Sequence, residues 1–180
     1  MSDLSAATGT WNIDPTHTTI GFTVRHAMVS KVRGKFNDFA GTFVIDGADV
    51  SKSAASLTIQ AGSIDTSNAD RDGHMKSAEF LDTDQFGEIT FTSTSAAAKG
   101  DDVIVTGNLT IHGVTKSVDV TFEYNGTALD PWGNTRVGFE GKAEISRKDF
   151  GLAWNAVLEG GGVLVGDSVK LEFDVEAVKA

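Results

Sequence analysis

VKLEFDVE, Val169 to Glu176, alternates at every position. Val169, Leu171, Phe173 and Val175 share one side; Lys170, Glu172, Asp174 and Glu176 share the other. Successive side chains of a strand point to opposite faces, so this segment reads as a strand with one face in a core and one in water. The same period recurs upstream. Val137, Phe139, Ala143 and Ile145 alternate with Arg136, Glu140, Lys142 and Glu144, and Val118, Val120, Phe122 and Tyr124 alternate with Asp119, Thr121 and Glu123. Val103, Val105, Leu109 and Ile111 make another apolar face, and Ile89 with Phe91 a shorter one. Leu57, Ile59 and Ala61, then Phe39, Phe43 and Ile45, then Ile20, Phe22, Val24 and His26 complete the set.

Eight amphipathic strands predict an all-β fold with an antiparallel sheet, because parallel strands covered by helices read as continuous apolar runs. Closure into an eight-stranded barrel removes the exposed edges; a sandwich or jelly roll is the alternative. The 180 residues are expected to form one domain, 1–180 with its core at about 10–178, since no linker or low-complexity tract divides them. His112-Gly113 reads as a hairpin turn and Asn125-Gly126 as the end of a strand. Gly160, Gly161 and Gly162 read as a flexible turn, because no helix and no Lys-Ser/Thr pair follows to make a phosphate loop. In 68–82, Met75, Ala78 and Leu81 share a helical face, with Asn68 or Asp70 to cap the start. Asp149 to Leu158 is a second non-alternating stretch, unusually apolar for a loop.

Composition excludes several functions. A net charge of −10 repels nucleic acid and disfavours an anionic membrane surface. There is no Cys, hence no disulfide, thiolate nucleophile or Cys-ligated zinc. No stretch approaches the roughly 20 apolar residues of a spanning helix, so stable membrane insertion is not expected. MSDLSAATGTW carries no basic segment followed by an apolar run, so the expected location is cytoplasmic.

Function turns on whether the barrel is filled. Gly41, Ala61, Ser93, Gly107, Gly141 and Ala143 are small inward residues that would leave space; Phe22, Phe43, Phe91, Phe122, Phe139 and Phe173 would line it. Alternatively, the glycines mark bulges and the aromatics fill the interior. The pattern alone leaves both open.

Chemistry-bearing constellations are sparse. Asn68, Asp70, Asp72, Gly73 and Glu79 follow the spacing of a calcium loop, but a capped helix accounts for the same residues. His17, His26, His74 and His112 show no helical zinc spacing, so no metal site is expected. His26 continues the inward series of its strand, and Arg147 that of Ala143 and Ile145, with Asp149 placed to pair with it in a clamp. An enzyme using His26 or His74 as base and Arg147 as anion site is one alternative; a filled barrel serving as an interaction module is another. No G-x-S-x-G elbow is present, and no carboxylate stands in an apolar run that would raise its pKa. Gly9-Thr10-Trp11 matches the G-x-W of lipocalins, whose Trp plugs the closed barrel end.

Five blocks carry a wider resemblance: WNIDPTHTTIGFTVRH (Trp11–His26), RDGHMKSAEFLD (Arg71–Asp82), GNLTIHGVTKSV (Gly107–Val118), ISRKDFGLAWN (Ile145–Asn155) and GDSVKLEFDVEA (Gly166–Ala177). In this order they resemble the YceI family of lipocalin-like proteins. The resemblance implies an extended eight-stranded antiparallel barrel with an elongated apolar pore and one or two short helices near the pore mouth. It implies binding of polyisoprenoid-like, quinone or fatty-acyl amphiphiles with no catalytic residues and no cofactor, and it suggests a homodimer. Many relatives are exported. The expected ligand contacts are Ile20, Phe22, Val24, His26, Phe43, Arg71, His74, Met75, Phe91, Phe122, Phe139, Arg147, Trp154 and Phe173.

Overall fold

The alternating stretches do form strands, and the sheet they make closes on itself. The structure is a computed structural model that describes residues 3–156, 158 and 162–180. Its strands are β1 (Gly9–Ile13), β2 (Thr19–His26), β3 (Ser30–Phe36), β4 (Phe39–Ile45), β5 (Ala54–Gln60) and β6 (Ile64–Asp65), followed by β7 (Glu88–Lys99), β8 (Asp102–Ile111), β9 (Val114–Leu129), β10 (Thr135–Ser146) and β11 (Val165–Lys179). The order β1-β4-β5-β7-β8-β9-β10-β11 returns to β1 through a β1–β11 pairing, a closed antiparallel ring of eight.

β2, β3 and β6 extend this ring rather than add to it. β1 and β2 both run along β11, Ile13 opposite Ala177 and Thr19 opposite Asp174, so they are two halves of one broken strand. β2 pairs with β3 as β1 pairs with β4, so β3 and β4 are halves of a second. The first break lies at Asp14–Thr18. Pro15 has no N–H to give a ladder, and Asp14 caps the 3-10 turn Pro15–His17 by accepting from Thr16 N at 3.0 Å. Thr18 then repairs the ladder with its side chain: Oγ1 donates to Glu176 O at 3.0 Å and accepts from Glu176 N at 3.1 Å.

Three expectations are corrected. β1 and β3 were not among the eight alternating stretches, which marked only the β2 and β4 halves. Asn125-Gly126 does not end its strand: β9 runs on to Leu129, and the register shift opposite Gly138/Phe139 makes the pair a bulge, with Gly126 at φ 117°. The helix is shorter than 68–82. α1 spans Ala69–Lys76, with Asn68 Oδ1 accepting from Arg71 N at 3.0 Å, and turns follow it to residue 86. His112-Gly113 does form the tight β8–β9 turn, both residues at positive φ. Gly160 and Gly161 lie outside the described residues.

The core has two parts. At one end, Leu4, Ala7, Ile45, Val137 and Ala177 bury Trp11 completely; its Nε1 donates to Ala7 O at 2.8 Å. At the other, Ile20, Ile59, Leu81, Leu109 and Phe150 pack beneath α1 and the segment after β10.

Candidate functional site

Between the two cores lies a cavity of ≈ 260 Å³. A single water needs only about 10–15 Å³ on a comparable measure, so this is no packing defect. Every ring strand contributes to its wall, for instance Ile13, Phe43, Leu57, Phe91, Leu109, Val120, Phe139 and Leu171. The lining is apolar apart from a few Ser and Thr, and Arg147 is its one ionisable member among the described residues.

The six small residues expected to leave space, Gly41, Ala61, Ser93, Gly107, Gly141 and Ala143, are all absent from the lining, whose small members include Gly21, Ala55, Ser56 and Ala96. Three glycines act in the opposite sense, by receiving a phenyl ring from the neighbouring strand. A Cβ on Gly34 would lie 2.3 Å from Phe22 Cζ, one on Gly107 2.4 Å from Phe91 Cζ, and one on Gly141 2.5 Å from Phe122 Cε1. The rings occupy the room a side chain would take on the adjacent strand. Phe22, Phe91 and Phe122 also line the lumen.

Ten of the fourteen expected residues line the cavity: Ile20, Phe22, Val24, Phe43, Met75, Phe91, Phe122, Phe139, Arg147 and Phe173. Four do not, each for a local reason. His26 ends β2 at the rim and is exposed. Arg71 is spent on Thr66, Nε to Oγ1 at 2.8 Å and Nη2 to O at 2.7 Å, which ties α1 to β6. His74 bonds Glu79 Oε2 at 2.5 Å and packs edge-on against Phe80 and Trp154. Trp154 closes that aromatic trio from outside, while Phe80 reaches the cavity.

Arg147 is 3% exposed, but its partner is not Asp149. Its guanidinium bonds four main-chain oxygens: Gly166 O at 2.8 Å, Trp154 O at 2.9 Å, Val165 O at 3.3 Å, and Leu152 O. The expected Arg–Asp clamp is thus an Arg–carbonyl clamp that pins the segment after β10 to the start of β11. Burial pulls its pKa down, partly offset by Asp167. His74 bonds Glu79 and Arg147 bonds main-chain oxygens, and among the described residues neither shares a hydrogen bond with the other or with His26. The calcium-loop spacing serves the helix: Asp72 Oδ1 accepts from Thr66 N and Oγ1, and the run Ala69–Lys76 is helical.

Sequence reading missed a polar cluster beside the strand break. Arg136 Nη1 bonds Asp14 Oδ2 and Glu176 Oε2, both at 2.8 Å, and Nε bonds Asp130 Oδ2 at 2.9 Å. Arg136, then His17 and Thr16, hold the Asp14 carboxyl far below the usual range. Burial alone would raise Asp130, but Arg136 and the N–H groups of Asn134 and Trp132 outweigh it and bring it to about 2. Asp14, His17 and Glu176 present ligand atoms within 4.8 Å of one another. The guanidinium already occupies the place a metal would take, on the same carboxylate oxygens. The hint in sequence was Asp14-Pro15, which cannot continue a strand ladder.

Comparison with known proteins agrees with this architecture. The YceI-like domain profile matches residues 11–177. Protein YceI of Salmonella newport (strain SL254) is 42% identical over 150 residues, 82% of this chain and 78% of that protein. Among solved structures, Burkholderia cenocepacia BcnA superposes with a TM-score of 0.79 at 22% identity, covering 91% of this chain and 98% of that one. The Campylobacter jejuni YCEI protein gives 0.71 at 28% identity, covering 93% and 96%. A polyisoprenoid binding domain from Saccharophagus degradans gives 0.70 at 18%, covering 94% and 98%. The closed barrel, the apolar lumen and the match along nearly the whole chain place this protein in the YceI-like family.

Proposed function

We propose that the barrel is a non-catalytic carrier for one long apolar amphiphile of the polyisoprenoid, isoprenoid-quinone or fatty-acyl type, held along the lumen. The observation that carries this reading is the ≈ 260 Å³ cavity walled by aliphatic and phenyl side chains from every ring strand. Such a wall offers almost nothing to orient a compact polar substrate. Burial of each CH₂ contributes about 0.8 kcal/mol, so a long tail supplies most of the affinity without a strong head-group contact. The Saccharophagus degradans neighbour, named as a polyisoprenoid binding domain, supports the same ligand class. The ten lining members of the expected set are the proposed contacts, with Arg147 holding the wall in shape through its carbonyl clamp.

Native mass spectrometry and solvent extraction of freshly purified protein test the proposal. The expected result is one long-chain lipid per chain, lost in a Leu57→Trp variant that blocks the lumen but stays folded. A protein that neither carries nor takes up any prenol, quinone or fatty acid would overturn it.

A further inference from the structure

We propose that the β2–β3 hairpin tip is a docking surface for an anionic phospholipid bilayer, placing the rim of the lumen against the membrane. The proposal deepens the carrier reading and rests on it. Three features that each oppose folding stability coincide between Arg25 and Lys31. Ala27 and Met28 hold φ of 51° and 65°, a left-handed turn built without glycine. Met28 is 59% and Val29 82% exposed, two large apolar side chains given to solvent at one tip. Arg25 and Lys31 face each other across the ladder, like charges directly opposed.

The local charge reverses that of the molecule. From Pro15 to Asn37 the chain carries Arg25, Lys31, Arg33 and Lys35 and no acidic residue, within a protein of net charge −10. Lys35 lies near Asp65 and is set aside. Among the described residues, no carboxylate bonds Arg25, Lys31 or Arg33. An apolar tip flanked by cations that no carboxylate among the described residues bonds suits an anionic lipid surface, where the tip enters the acyl boundary and the cations meet phosphates. The other apolar tip, at Leu129 and Trp132, lacks such cations: its neighbour Arg136 is bound by three carboxylates.

Position links the tip to the lumen. Val24 and Val165 line the cavity, Val165 pairs with His26, and Ala27 N donates to Leu164 O at 2.7 Å. A lipid leaving past this rim emerges where the tip would be buried.

The test is co-sedimentation of the full-length protein with vesicles of phosphatidylcholine alone or mixed with phosphatidylglycerol. Binding is expected to the mixed vesicles only, and to be released by high salt. Val29→Asp and Lys31→Glu should each weaken it about tenfold or more. Both sites are exposed, so lipid content by native mass spectrometry should not change; Val29→Asp should leave the melting temperature unchanged, and Lys31→Glu, which sets an opposite charge across from Arg25, should not lower it. No binding to mixed vesicles, binding indifferent to both substitutions, or self-association through the tip that Val29→Asp abolishes would each overturn the proposal. Tip-dependent vesicle binding by a protein that never carries lipid would uphold the docking surface while removing the carrier role.

Discussion

The glycine–phenylalanine pairs decide how open the lumen is. At Gly141 a methyl group would meet the Phe122 ring at 2.5 Å, and at Gly107 it would meet Phe91 Cζ at 2.4 Å and the main-chain Thr92 O at 2.7 Å. Gly141→Ala must therefore swing a ring inward. It should cost about 1–3 kcal/mol and reduce the longest lipid accommodated, measured by urea unfolding and by mass spectrometry after loading with a chain-length series. Arg147 tests a different property. Arg147→Met strips several buried carbonyls of their donor and should cost about 2 kcal/mol, with faster amide exchange at 151–156. Arg147→Lys should not restore stability, since one ammonium cannot reproduce a fork that spans carbonyls of residues 152, 154, 165 and 166.

At the scale of elements, the Arg136 cluster fastens the β9–β10 hairpin, the Asp14–Thr18 break and β11 together. The Asp14 and Asp130 carboxyls stay ionised in the folded chain where the unfolded chain, near 3.8, takes up protons. Their contribution is therefore full above about pH 4 and is lost as pH falls toward about 2. Acid unfolding of Asp130→Asn should show a shallower loss across that window, measured by circular dichroism against pH. Period-2 alternation made the long strands legible, and it marked the β2 half through Ile20, Phe22 and Val24 and the β4 half through Phe39, Phe43 and Ile45, which carry the phase across Gly41. β3 was hidden because Gly34 interrupts its apolar series, even though Lys31, Arg33 and Lys35 keep the polar beat. The phenyl-lined wall was readable from residue type. What was not readable was the fate of the glycines: occupancy by a ring from the next strand is a relation across registers, and no single strand records it. Arg71, His74 and Trp154 lie off the wall for a related reason, since each is engaged by a partner that spacing along its own element does not reveal; His26 lies off it because its strand ends at the rim.

For the whole molecule, an occupant that binds the folded barrel alone adds stability by mass action, about 2.7 kcal/mol when ligand stands at a hundred times its Kd. Protein stripped of lipid by solvent should melt at a lower temperature and recover on reloading, read by differential scanning calorimetry; unchanged melting would count against an occupied lumen. The broken strands carry a further consequence. The interruptions in β1/β2 and β3/β4 predict that the barrel opens as two cooperative blocks. The block around Trp11 is locked by the guanidinium cluster. The block beneath α1 is held by one clamp and an aromatic trio. Cargo exchange then requires only that the second block breathe, at a free energy below global unfolding. Amide protons of β1 and the C-terminal half of β11 should exchange only with full unfolding, while those of α1 and 151–156 should exchange at the pace of cargo release. On this view the fold is a vessel with a fixed foot and a yielding shoulder, and the break at Pro15 is the seam that lets one relax while the other stays shut.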